Sequence, residues 1–150
     1  MTAIAVINES GVECDTEALA RLAAFLFPLV RIADDCELCI TIVDEPRMEE
    51  LHIQWMDLPD ATDVLSFPMD ELRSAEPGQA PPSGLLGDIV LCPEFARKQA
   101  AEAGRTLDEE LQFLTTHGIL HLLGHDHMTP EEYDVMFALQ DELLAKWNAS

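Results

Sequence analysis

Basic side chains are scarce in this chain. Of its 150 residues only 8 are Lys or Arg, against 29 Asp or Glu, which leaves a net charge of −21. Contacts to phosphate draw on Lys and Arg, so this balance excludes indiscriminate nucleic-acid binding. Any dealing with a polyanion must run through a local basic patch, a metal ion or a partner. Long apolar runs are also missing: none reaches the ~20 residues of a membrane span. The N-terminus lacks the basic-then-apolar plan of a secretory signal, so a cytoplasmic protein is expected. There are 4 cysteines. Cys36 and Cys39 have a C-x-x-C spacing that can serve zinc or redox chemistry. They open a strand, however, where residues three apart point to opposite faces. Free, partly buried thiols are therefore expected, as suits a reducing compartment.

What is present reads as one domain over residues 1–150. Hydrophobic content of 48% and charged content of 25% are ordinary for a globular chain long enough to bury a core. Met1 to Ile7 reads as a strand and Asn8 to Gly11 as a turn. Thr16 to Val30 repeats Leu19, Leu22, Ala23 and Leu26 at helical spacing, disturbed near Pro28. Leu38 to Val43 is a strand. A helix follows Asp44 and Pro46 to about Met56, then a loop from Asp60 to Thr62. Asp63 to Phe67 and Leu86 to Leu91 are short strands, joined across a Pro- and Gly-containing loop from Glu71 to Gly84 expected to be mobile. Pro93 starts a helix that ends near Gly104. Thr106 and Glu109 form a capping box for the next helix, which runs to Gly124. Thr129-Pro130 starts a last helix to about Trp147. The order β-α-β-α-β-β-α-α-α implies an α+β fold: a mixed sheet of about four strands packed by helices.

The chemistry concentrates in His117-Gly-Ile-Leu-His121-Leu-Leu-Gly124-His125-Asp126-His127, which holds four of the chain's 5 histidines. His117 and His121 are one helical turn apart, so both imidazoles project from one face and can share an ion. If the helix continued through Gly124, His125 would lie about 12 Å along the axis from His117, too far to share that ion. A left-handed turn at Gly124 instead brings His127 back as a third ligand. Three neutral imidazoles on a tetrahedral Zn²⁺ leave a fourth position to water, the layout of a catalytic site. The same spacing occurs in metzincin peptidases, which carry a Glu base directly after the first His. Here that position is Gly118, so the spacing supports a metal site more strongly than a zinc metallopeptidase.

This histidine motif resembles the signature of the YbeY family of bacterial endoribonucleases. Thr62-Asp63-Val64-Leu65-Ser66-Phe67-Pro68 and Leu86-Gly87-Asp88-Ile89-Val90-Leu91-Cys92 resemble two further family stretches, in the same order. The resemblance implies a single-strand-specific, metal-dependent endoribonuclease acting in ribosomal RNA maturation and ribosome quality control. The ribosome or a small-subunit ribosomal protein is then an expected partner. His117, His121 and His127 would act through water on the ion. Asp126 is a candidate for holding a ligand imidazole by its free N–H. In the family the strand with Asp63 and Ser66 borders the cleft facing the metal, so both are candidates for contact with substrate or a site water. Asp88 reads more simply as a turn carboxylate. The chain departs from the family at Met56, where an Arg thought to serve the phosphate is usual, and at Ala61 and His52, where Pro and Asn are usual. Arg73, Arg97 or Lys98 could take over the phosphate, and no spacing selects among them. A non-enzymatic ribosome-assembly factor, its fourth metal position filled by His125 or Asp126, is the remaining alternative. Whether a metal-activated water or the RNA's own 2′-hydroxyl attacks stays open, as does the oligomeric state.

Overall fold

The structure, a computed structural model, describes residues 3–56, 64–125 and 129–150, with the side chains of 52–56 left aside. The elements follow the expected order: β1 (Ala3–Asn8), α1 (Thr16–Leu29), β2 (Glu37–Ile42), α2 (Glu45–Met56), β3 (Val64–Pro68), β4 (Leu85–Leu91), α3 (Pro93–Ala103), α4 (Leu107–Leu122) and α5 (Pro130–Asn148). The four strands form one mixed sheet in the order β1-β2-β4-β3. β1 and β4 flank β2 in parallel, and β3 runs antiparallel to β4, with Ser66 opposite Ile89 and Phe67 opposite Asp88.

Alternation along the strands divides the sheet into two unlike faces. Leu38, Ile40 and Ile42 of β2 join Ile89 and Leu91 of β4 in the main core under α1 and α4, and α5 packs on those two helices. α4 is central: Glu110, Thr115 and Thr116 are buried in it along with the apolar Leu111, Leu114, Ile119, Leu120 and Leu122. Each such apolar side chain removed from water contributes about 2 kcal/mol. The other face holds a smaller cluster of Val43, Met48, Leu65, Val90 and Cys92. Beside it the sheet is open, forming a groove of about 710 Å³ whose lining includes Glu9, Thr41, Arg47, Phe67, Met69 and Asp88.

Local signals behave as their chemistry dictates. Asp15 caps α1 through Ala18 N–H at 3.0 Å. Pro28 lies in the last turn of α1. There Val30 N–H still reaches Leu26 O at 2.9 Å, and Arg31 turns the chain at φ 59°. Thr106 accepts from Glu109 N–H at 3.1 Å while Glu109 Oε1 accepts from Thr106 N–H at 2.8 Å, completing the capping box. These bonds hold the Glu109 carboxyl below its ordinary range. All four cysteines are free, with Cys36 and Cys92 buried. Burial pushes the thiols of Cys14, Cys36 and Cys92 up.

The long β3–β4 connection differs from expectation. It is tied to the segment after α1 rather than hanging free. Ala75 N–H donates to Arg31 O at 3.0 Å, and Arg31 Nε donates to Ala75 O at 2.6 Å. Ala33 N–H donates to Pro82 O at 2.9 Å, and Ser83 Oγ donates to Asp35 at 2.7 Å. Proline and glycine set its irregular path, while the backbone still finds partners.

Candidate metal centre

The last two turns of α4 carry His117 and His121, both half-buried. Their Nε2 atoms face each other at 3.0 Å, with the ring planes edge to face. The orientation of His117 is set from α5. His117 Nδ1 lies 3.0 Å from Oε1 of Gln140, which is fully buried. A carboxamide oxygen only accepts, so Nδ1 carries the proton and Nε2 keeps its lone pair. Gln140 is itself fixed by donating from Nε2 to Phe113 O at 3.3 Å. Phe137 closes the other side of the His117 ring, with centroids 5.5 Å apart.

This arrangement fits a metal ion. Two ligands at about 2.1 Å on a tetrahedral ion stand about 3.4 Å apart, only slightly wider than the gap between these nitrogens. Metal-bound imidazoles commonly donate their other N–H to an acceptor that fixes the tautomer, as Gln140 does. Gln140 was not singled out in the sequence, although a polar residue between buried Met136 and Leu143 on one helix face was a usable signal. Among the described residues no third His, Cys, Asp or Glu joins this pair. His127, the expected third ligand, lies outside the described residues, as do Asp126, Asp63 and Ala61. The side chains of His52 and Met56 do too.

The turn after α4 forms as expected. Gly124 adopts φ 95°. Gly124 N–H donates to His121 O and His125 N–H to Leu120 O, both at 3.0 Å, the paired bonds of a Schellman turn. His125 is thereby carried past the helix end into a small cavity with Glu131, Glu132 and Val135. Burial, and then the nearby Arg73 charge, push its pKa down.

Gly118 has a packing reason. A Cβ there would stand 2.9 Å from Ile89 Cδ1 and 3.2 Å from Ser66 Oγ. The close approach of α4 to the β3–β4 pair thus leaves no room for the Glu of a metallopeptidase. It also puts the Ser66 hydroxyl beside the residue that follows His117. Asp88 is not a turn carboxylate. It sits mid-strand in β4, pairs across to Phe67, and lines the open groove on the face away from α4.

The family model for "Endoribonuclease YbeY" matches residues 6–148. The chain belongs to the YbeY endoribonuclease family. It is 52% identical to the "Endoribonuclease YbeY" of Thermobifida fusca, with 98% of this chain and 95% of that protein covered. It is 55% identical to the protein of the same name from Pseudarthrobacter chlorophenolicus, covering 94% and 90% respectively. Among solved structures it resembles the solution structure of TM1509 from Thermotoga maritima. The TM-score there is 0.60 at 26% identity, over 97% of this chain and 92% of the other. YbeY membership gives a nuclease acting on phosphodiester bonds, and neither the peptidase nor the assembly-factor alternative gains support from it.

Proposed function

We propose that this chain is a single-strand-specific, metal-dependent endoribonuclease of ribosomal RNA maturation and ribosome quality control, working in the cytoplasm with one Zn²⁺ on His117, His121 and His127. The observation that carries the metal assignment is the convergence of the His117 and His121 Nε2 atoms at 3.0 Å, with Gln140 holding the first in its ligating tautomer. Imidazole donors suit zinc among the common divalent ions. Bound there, the ion would supply Lewis acidity toward a phosphoryl oxygen and make a water more acidic.

The chain's own groups do the positioning. α4 presents two imidazoles on one face, and Gln140 orients His117 without adding a charge. Ser66 offers a hydroxyl beside Gly118, placed to hold a substrate oxygen or a site water. Asp126, next to His127, would hold an imidazole N–H. Half-burial of both described ligands excludes part of the solvent, which strengthens electrostatic contacts to a scissile phosphate.

A net charge of −21 repels loose RNA and attracts basic proteins. The substrate is therefore delivered by a partner, the ribosome or a small-subunit ribosomal protein. The open sheet face suits such a contact: Ile7, Met69 and Leu85 are exposed at its edges, and Glu9, Glu37 and Asp88 lie along it. Wild type and His121→Ala should be compared on naked single-stranded RNA and on ribosomal particles. Wild type is expected to cut both in a metal-dependent way, particles far better, and the variant neither. Tight binding and efficient cutting of naked RNA would remove the partner requirement. Absence of metal-dependent cutting on both substrates would favour the assembly-factor role.

A further inference from the structure

We propose that Arg73 is the phosphate-binding residue of this chain, its guanidinium holding a phosphodiester of the RNA strand engaged beside His117 and His121. This rests on the nuclease reading above and identifies how an acidic protein grips its substrate at that site.

The first observation is contact with the turn. A Cβ on Gly124 would stand 2.6 Å from Arg73 Nε, 2.7 Å from Cζ and 3.1 Å from Nη2. Near-equal distances to three bonded atoms mean that the guanidinium lies with its flat face against the glycine. Gly124 is three residues beyond His121, in the left-handed turn that ends the helix. The loop leading from β3 thus sets a permanent positive charge at the end of the helix that carries the paired imidazoles.

The second observation is which donors remain. The guanidinium has five N–H groups. Nη1 donates to Glu71 O at 3.1 Å and Leu72 O at 3.0 Å, which fixes the head. The Nε–H and Nη2–H edge has no acceptor among the described residues. That edge is the fork that matches two oxygens of a phosphate. Arg73 also lacks a carboxylate partner among the described residues, although the chain has 29 acids.

The third is elimination among the chain's 8 basic residues. Arg21, Arg47, Arg105 and Lys146 are paired with Glu17, Glu50, Glu110 and Glu142. Arg31 is tied to Ala75 O. Lys98 lies over the Phe95 ring on α3, and Arg97 is its neighbour on that helix. Arg73 alone lies against the turn that follows His121.

The test measures binding of a labelled, 2′-O-methylated single-stranded RNA by fluorescence anisotropy across a salt series, with metal content and melting temperature recorded for each variant. Arg73→Gln keeps a packing stem and an amide donor but no charge. It should weaken binding about tenfold at low salt and flatten the slope of log affinity against log salt by about 0.7. Its metal content should be unchanged. Arg97→Gln and Lys98→Gln should bind as wild type. Arg73→Lys keeps the charge without the fork, so its slope should match wild type with affinity several-fold lower. Should Arg73→Gln lose its fold, Arg73→Lys decides, and wild-type affinity in that variant overturns the proposal. Wild-type binding and slope in a folded Arg73→Gln also overturn it, as does an equal loss in all three Gln variants. Wild type that binds no naked RNA yet cuts ribosomal particles would overturn this proposal and leave the nuclease reading standing. Wild type that neither binds naked RNA nor cuts particles would sink both, and unchanged Arg73→Gln beside an RNA-binding wild type sinks only this one.

Discussion

Two stretches of the chain are built on the same plan and do different work. α3 and α4 both end in a Schellman turn at a left-handed glycine, Gly104 at φ 71° and Gly124 at φ 95°. In the first, Arg105 N–H donates to Ala100 O, and in the second His125 N–H donates to Leu120 O. Each turn is followed by a threonine cap with Glu three residues later: Thr106 with Glu109, and Thr129 with Glu132. They differ in what lies between and against them. Only Arg105 separates Gly104 from its cap, and nothing stands within 4 Å of where its Cβ would be. Between Gly124 and Thr129 the chain inserts His125, Asp126, His127 and Met128, and Arg73 is stacked on the glycine. Backbone chemistry specifies the turn in both places. On the proposed reading, function enters through the residues inserted after it and the side chain brought against it from elsewhere.

Substitutions that leave one turn intact while disturbing the other sharpen this contrast. The largest effect is expected just before the second turn. Gln140→Leu removes the acceptor that fixes His117 and should weaken metal affinity about 10–100-fold with little loss of helix. Competition with a chromophoric chelator measures it, and unchanged affinity would mean that His117 is oriented by something else.

Next come the glycines themselves. Gly124→Ala must adopt an unfavourable φ and displace the Arg73 guanidinium, so it should cost about 2 kcal/mol and lower metal affinity as well. Gly104→Ala faces only the backbone penalty, about 1 kcal/mol, with metal affinity unchanged. Urea unfolding and chelator titration of both variants separate the two terms. Equal effects on metal binding would erase the distinction between the turns.

The smallest effect lies at the cap that follows the first turn. Thr106→Ala should cost about 1 kcal/mol and nothing in metal binding. The Glu109 carboxyl is held low by its bonds to Thr106, so the folded state releases that proton more readily than the unfolded chain. The resulting stabilisation is present above the ordinary carboxylate range and is lost as pH falls through the lowered value. Thr106→Ala removes the hydroxyl but keeps the backbone N–H, the larger cause of the lowered value, so this acid sensitivity should shrink without vanishing in melting curves taken between about pH 5 and pH 3.

The element order, the mixed four-stranded sheet, the capping box and the glycine turn were all legible in the sequence, because each rests on chemistry within a few residues. His117 and His121 belonged to that local class. What was not legible depends on contacts between distant segments. The direction of Asp88 follows from register with Phe67, and the anchoring of the β3–β4 connection from bonds to residues after α1. Choosing Arg73 over Arg97 and Lys98 needed the loop's path over Gly124. Gly118 was noticed only as a missing base, and its cause is Ile89 and Ser66 pressing on α4 from the sheet.

Metal content measured after purification, in wild type and in His125→Ala and His127→Ala variants, bears most directly on the second turn. About one zinc per chain is expected in wild type and in His125→Ala, and little or none in His127→Ala. Equal loss in the two variants, or full zinc in His127→Ala, would contradict the ligand set.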